Sequence, residues 1–251
     1  MTRPRLSVAV ITYNEEDRLR ECLDSVAWAD EIVVVDSESH DKTVQIAREF
    51  TDRVIVRPWP GFAPQKNFAL AEATGDWILS LDADEEVPPE LRAEIPGLIA
   101  RPDACDGYTV RRRNVFLGQW IRHGGLYPDW QLRLFRRGRG RFGDRDVHES
   151  VDVAGTVGQL TNDLIHRSYR GVDDFFDRAN RYSTLAAQEV VRAGRRVRAR
   201  ELVLRPLGRF VSMYIARRGF LDGRKGLLLA ALYAYYVFMR TAKVWEVTRK
   251  R

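Results

Sequence analysis

Short apolar runs and helix-period stretches alternate through the first third of the chain. Leu6-Ser7-Val8-Ala9-Val10-Ile11 has the pattern of a buried strand and ends in Thr12-Tyr13-Asn14-Glu15-Glu16. Leu19, Cys22, Leu23 and Val26 then recur at helical spacing. Glu31–Asp36 is a second strand closed by an acid, and Asp41 is placed to cap a helix over Lys42–Phe50. Val54–Val56 is a third strand, and Pro58-Trp59-Pro60-Gly61-Phe62-Ala63-Pro64 is a rigid loop. Gln65–Ala73 is a helix and Trp77–Leu81 a fourth strand. This alternation predicts a parallel sheet wrapped by helices.

The fourth strand runs directly into Asp82-Ala83-Asp84-Glu85-Glu86. Carboxylates this close repel one another unless a cation sits among them. The carboxyl end of a strand in an open α/β sheet is also where such folds place ligands. Pro88 and Pro89 open a helix to about Ala100, and carboxylates just before it suit its N-terminus, which accounts for Glu85 and Glu86. The middle section turns β-like and basic, with alternation over Tyr108–Arg113 and Gln131–Arg137.

From Asp173 the pattern is helical to the end. Phe175, Ala179, Tyr182, Ala186 and Val190 line one face of a first helix. A second, over Leu202–Arg218, carries Arg on one side and Leu, Phe, Met and Tyr on the other. The longest uncharged run, Gly226–Met239, is shorter than the ~20 residues that span a bilayer. It suits either an amphipathic or re-entrant segment at a membrane surface or the core helix of a helical subdomain.

Charge sharpens this division. Residues 1–166 hold 21 Lys+Arg against 28 Asp+Glu, whereas residues 167–251 hold 20 against 7. A basic tail behind an acidic front half points to anionic lipid head groups or nucleic acid as partner, or simply to a solvated basic face. Cys22 and Cys105 are far apart, without metal-ligand spacing, and read as thiols of a reducing compartment. No signal-peptide pattern precedes the first strand, so the expected location is cytoplasmic.

No G-x-G-x-x-G follows the first strand, which disfavours a dinucleotide-dependent dehydrogenase. Instead, Val10-Ile11-Thr12-Tyr13-Asn14-Glu15, Val34-Val35-Asp36-Ser37, Gln65-Lys66-Asn67, Gly75-Asp76-Trp77 and Leu81-Asp82-Ala83-Asp84 together resemble inverting glycosyltransferases of family 2. More narrowly, the chain resembles bacterial lipopolysaccharide-core β-glucosyltransferases. The stretches that carry this are Arg57–Phe62, Gly124–Asp129 with Arg133–Arg137, Val147-His148-Glu149, Asn180–Ser183 and Arg218–Gly223. The order and spacing of these motifs, rather than any one of them, make the resemblance specific. One departure is local: where family members often carry Gly after Val-Asp-Ser and after the next Asp, this chain has Glu38 and Lys42. Glycine allows positive φ at no steric cost, whereas Glu and Lys adopt it only at a cost.

The resemblance implies an α/β GT-A fold, a Rossmann-like and mostly parallel sheet flanked by helices, followed by a basic helical C-terminal region. Residues 1–103 would form the nucleotide-sugar half, 104–170 the β-rich acceptor half, and 171–251 the tail. It also implies a divalent metal (Mg2+ or Mn2+) held by Asp84 with Asp82 and His148. Thr12, Tyr13, Glu15, Asp36, Ser37, Lys66 and Asp82 would meet a UDP-sugar, Asp36 accepting from the base. An inverting transfer needs one general base, for which Asp129 and Glu149 are the candidates. Arg133, Arg136 and Arg137 would meet a phosphorylated acceptor, although alternating arginines also mark a wet strand face.

The expected activity is metal-dependent hexosyl transfer, glucose from UDP-glucose being favoured, onto a lipopolysaccharide-core or other cell-envelope glycolipid. The tail would dock on the inner face of the cytoplasmic membrane through charge and the aromatics Tyr233, Tyr235, Tyr236 and Trp245. Two alternatives remain: a polyprenyl-phosphate sugar synthase, and a non-catalytic basic membrane- or nucleic-acid-binding module. The acidic strand end argues against nucleic acid at that face.

Overall fold

A computed structural model of the chain describes residues 3–143, 151–194 and 197–249. Its elements in chain order are β1 (Leu6–Thr12), α1 (Leu19–Val26), β2 (Glu31–Asp36), α2 (Thr43–Arg48), β3 (Val54–Val56), α3 (Phe62–Glu72), β4 (Trp77–Asp82), β5 (Glu85–Glu86) and α4 (Pro89–Ile99). They continue as β6 (Gly107–Phe116), β7 (Gln119–Trp120), β8 (Asp129–Arg136), β9 (Gly140–Phe142), β10 (Val151–Val153) and β11 (Val157–Tyr169). The helices α5 (Val172–Arg192), α6 (Glu201–Val211) and α7 (Gly223–Arg249) close the chain. A π turn over Ser212–Ala216 and a 3₁₀ turn over Gly219–Asp222 lie between α6 and α7.

The chain divides into two units, Met1–Arg112 with Asp129–His166, and Arg113–Pro128 with Arg167–Arg251. The first is built on the main sheet, ordered β3-β2-β1-β4-β8-β6-β11-β5. Strands β3, β2, β1 and β4 are parallel, whereas β8 runs antiparallel to both β4 and β6. β5 pairs antiparallel with β11. The outcome is a mixed sheet flanked by helices, as the resemblance implies. The central strands are apolar on both faces because both are covered. Leu6, Val8, Val10, Leu79 and Leu81 pack with Leu19, Cys22, Leu23 and Val26 of α1 on one side. Ala9, Val33, Val35 and Ile78 pack with Ala63, Ala69 and Leu70 of α3 on the other.

Most predicted strands and helices appear within a residue or two of their expected bounds. One exception is α3, which starts at Phe62 rather than Gln65. Pro64 therefore lies in the first helical turn, where no intrahelical N–H donor is required.

The second unit holds the α5–α7 helices and the β6–β7 hairpin end. Its core gathers Phe116, Ile121, Phe175, Ala179, Leu229 and Leu232. Buried Asp222 accepts from the backbone N–H groups of Arg122 and His123. Lys243 on α7 donates to the Asn180 carbonyl and to the Ser183 and Thr184 hydroxyls of α5. By length and composition, the helical stretch Gly219–Arg249 is the one among the described residues that is long and apolar enough to cross a membrane. Part of its apolar surface nevertheless belongs to the helix packing: Leu229, Ala230, Leu232, Thr241 and Val244 are buried.

Candidate active site

Parallel pairing brings three strand ends to one edge. Thr12 registers with Asp36 across β1 and β2, and Ile11 with Asp82 across β1 and β4. Asp36 and Asp82 thus end strands on either side of β1, about 9–10 Å apart at the usual inter-strand spacing. The strand order reverses between β1 and β4, the point at which open α/β sheets bind ligands.

Asp36 is fully buried. It accepts from the Thr12 hydroxyl at 2.7 Å, the Ser39 hydroxyl at 2.6 Å and the Ser39 N–H at 2.8 Å. Asn14 braces the same turn: its N–H donates to the Ser39 hydroxyl, and its side-chain oxygen accepts from the His40 N–H. The Glu15 N–H donates to the Thr43 hydroxyl. Tyr13 between them is half exposed. Buried Ser37 accepts from the Gln65 amide at 3.1 Å, while Gln65 Oε1 is buried with no hydrogen-bond partner. The glycine-deficient turn is strained at one of its two substituted positions. Glu38 takes a left-handed φ of 59°, whereas Lys42 sits at −80°.

The second half of the site is a chain of charges. Lys66 Nζ lies 2.8 Å from Asp82 Oδ1, and Arg133 Nη2 lies 2.6 Å from Asp82 Oδ2. Arg133 also reaches Glu85 at 2.6 Å. Arg112 contacts Glu85 at 3.3 Å and Asp129 at 2.7 Å. The series Lys66–Asp82–Arg133–Glu85–Arg112–Asp129 alternates in sign along its length. Burial raises the carboxyl pKa of Asp82, but the attraction of Arg133 and Lys66 outweighs it and holds the group well below the carboxylate range. Burial would lower the Arg133 pKa, and Asp82 with Glu85 reverses that sign.

Glu85 departs from expectation. It is not a helix-start charge but a fully buried hub that accepts from Arg133, Arg112 and the Asp82 N–H. The reason is that residues 85–86 form β5 and pair with β11 before α4 begins at Pro89. The three arginines expected together are separated. Arg133 is buried at the strand-end site. Arg136 registers with Trp77 at the opposite end of β4 and lies 4.7 Å from its ring. Arg137 follows it and is exposed.

Asp84 faces a guanidinium and an imidazole. Its Oδ2 lies 3.6 Å from Arg18 Nη1 and 3.6 Å from His166 Nε2. His166 gets there because it registers with Glu85 in the β5–β11 pair. Neither Arg18 nor His166 was singled out from sequence. The alternation of β11 gives no clean signal for His166, since Leu160, Asp163 and Leu164 are the buried side chains of that strand. His148 and Glu149 lie outside the described residues. Among the described residues no three His, Cys, Asp or Glu converge as a closed metal cage. An Asp84–His166 pair suits a divalent ion that completes its shell with phosphate oxygens and water. Beside this group, burial and the carboxylates of Glu85, Asp84 and Asp82 push the Cys22 thiol well above its usual pKa, leaving it unreactive.

The family model for "Glycosyl transferase family 2" matches residues 7–155. The lipopolysaccharide core biosynthesis glycosyltransferase LpsC of Rhizobium meliloti (strain 1021) is 34% identical over 248 residues, covering 96% of this chain and 92% of that protein. An uncharacterised glycosyltransferase of Rickettsia typhi is 31% identical over 258 residues, covering 98% and 88%. Among solved structures, S. aureus TarS 1–349 in complex with UDP superposes with a TM-score of 0.51 at 18% identity, covering 98% of this chain and 91% of that one.

Proposed function

Since the chain belongs to glycosyltransferase family 2, and is therefore a glycosyltransferase, we propose that it is an inverting, metal-dependent enzyme that moves a hexose from a UDP-sugar onto a lipopolysaccharide-core acceptor. UDP-glucose is the favoured donor. The core acceptor rests on the likeness to LpsC along nearly the whole of both chains. The observation that carries the proposal is the ion-pair series from Lys66 to Asp129, which ties a strand-end donor pocket to a carboxylate able to act as base.

In this reading the uracil N–H donates to Asp36, whose lone pairs are oriented by Thr12 and Ser39. Tyr13 is exposed beside it and available to cover the ring. The unpartnered oxygen of Gln65 supplies a further acceptor near Ser37. Glu15 orders the loop through Thr43, and Ser37 lines the pocket. Asp82, fixed as an anion by Lys66 and Arg133, accepts from a ribose hydroxyl. Asp84 and His166 would hold a divalent ion, and the mixed oxygen–nitrogen set would favour Mn2+. When bound, the metal neutralises charge on the departing diphosphate.

Asp129 accepts the proton of the acceptor hydroxyl as that oxygen bonds to the anomeric carbon. The bond from that carbon to the diphosphate oxygen breaks, and UDP leaves with its electron pair. Arg112, paired to Asp129 across adjacent strands, orients the carboxylate for this step. Nucleotide release from UDP-, GDP- and ADP-sugars, with and without EDTA and a core-oligosaccharide acceptor, tests the proposal. Release confined to UDP-glucose and abolished by EDTA is expected. Release with polyprenyl phosphate but not with core oligosaccharide would point to a lipid-phosphate sugar synthase instead.

A further inference from the structure

Helix α6 buries none of its eleven residues, although more than half of them are apolar or glycine. Val203, Leu207, Val211 and Ile215 follow at four-residue intervals, with Leu204 beside them, so they form one stripe. Their exposures are 67%, 57%, 44%, 54% and, for Leu204, 59%. Phe220 and Leu221 prolong the patch at 45% and 55%. The opposite face is the one engaged in packing: Met213 is buried, and Arg209 lies over the Tyr233 ring of α7 at 5.3 Å. The stripe is thus not the inner side of a helix bundle left incomplete. It is a second apolar face pointing away from the packed one.

Charge identifies what covers it. Arg198, Arg200, Arg205, Arg217 and Arg218 flank or interrupt the stripe along the chain, and all five are exposed. Residues 197–249 carry eleven Lys+Arg against three Asp+Glu. Of those three acids, Asp222 is buried and Glu201 is paired with Arg205. Two copies of this face brought together by a two-fold axis would set arginine against arginine. An exposed apolar stripe with a cationic rim on a short helix is instead the form that lies in the plane of an anionic bilayer, with its side chains below the head groups.

We propose that α6 with its π turn is an in-plane docking helix for an anionic membrane surface. Val203, Leu204, Leu207, Val211 and Ile215 enter the acyl boundary, and these arginines meet lipid phosphates. This assigns docking to α6 rather than to the aromatic residues of α7. It stands independently of the donor chemistry, because no residue of the strand-end site takes part.

The test is co-sedimentation of the full chain with phosphatidylcholine vesicles, with and without phosphatidylglycerol, at low and high salt. Binding to the phosphatidylglycerol vesicles, released by salt, is expected. Leu207→Asp should weaken it about tenfold, since half-exposed apolar area of this size is worth roughly that factor. Arg198→Glu with Arg200→Glu should weaken it at least about 25-fold, each surface arginine contributing about fivefold. Circular dichroism and donor hydrolysis should be unchanged in both variants. Equal binding to neutral vesicles, no binding, or no effect of either variant would overturn the proposal. So would retention after alkaline carbonate, which marks a spanning α7, or a dimer dissolved by Leu207→Asp. A protein that docks but releases no nucleotide would leave the membrane helix standing and remove the glycosyl-transfer reading.

Discussion

Arg133 Nη2 lies 2.6 Å from Asp82 Oδ2, both side chains at the carboxyl edge of the central sheet. The same guanidinium reaches Glu85 at 2.6 Å. A buried arginine shared by two carboxylates balances them only while it is present. Arg133→Met should therefore destabilise the fold by about 3–5 kcal/mol, the usual cost of leaving buried charges uncompensated. Urea denaturation at neutral pH measures it. A change below about 1 kcal/mol would mean the carboxylates find other partners.

The same pairing sets a pH expectation. The Asp82 pKa is lowered in the folded protein, so its contribution is present above its unfolded value and lost as pH falls through the folded one. Glu31 behaves alike: despite burial, hydrogen bonds from Ser7 and Thr74 and the charge of Arg53 lower it from 4.5 to about 2. Stability should thus be flat above about pH 5 and fall between about pH 4.5 and 2. Glu31→Gln should remove about 2–3 kcal/mol at neutral pH and flatten that acid limb. Denaturation midpoints across the acid range measure both.

The turn after β2 offers a stabilising change. Glu38 holds a left-handed φ of 59°, a conformation that costs an L-residue about 1–2 kcal/mol. Glu38→Gly should raise stability by about 0.5–1 kcal/mol after the entropy of glycine is counted. Lys42→Gly, where φ is −80°, should gain nothing. Thermal melts of the two variants separate these outcomes.

Much of this frame is visible in the sequence. Leu19, Cys22, Leu23 and Val26, chosen by spacing, are all fully buried. Strand ends at Thr12, Asp36 and Asp82 follow from apolar runs closed by polar residues. What is not visible depends on long-range pairing. The β11 strand has Thr161, Asn162 and Asp163 in mid-run, which blurs its alternation and hides His166. Glu85 looks like a solvated helix-start acid until β5 pairs with β11. Arg133 looks like one of several arginines on a wet face, because only the place of β8 between β4 and β6 buries it. Local pattern carries the elements; charge pairing across strands carries the site.

The base is tested by its proton. Asp129→Asn should lower kcat by about 10²–10⁴-fold with the donor KM little changed, as expected for loss of a general base. Glu149→Gln should leave kcat within a few-fold. A reversed pair of results in steady-state assays would transfer the role to Glu149.

The most direct test of the central claim is Mn2+ binding, read by electron paramagnetic resonance in the presence of UDP. Asp84 and His166 lie 3.6 Å apart and supply the two protein ligands in this account. Asp84→Asn and His166→Ala should each weaken Mn2+ binding by at least about tenfold. His148→Ala should leave it unchanged. Undiminished Mn2+ binding in the Asp84 and His166 variants, or its loss in the His148 variant, would contradict the account.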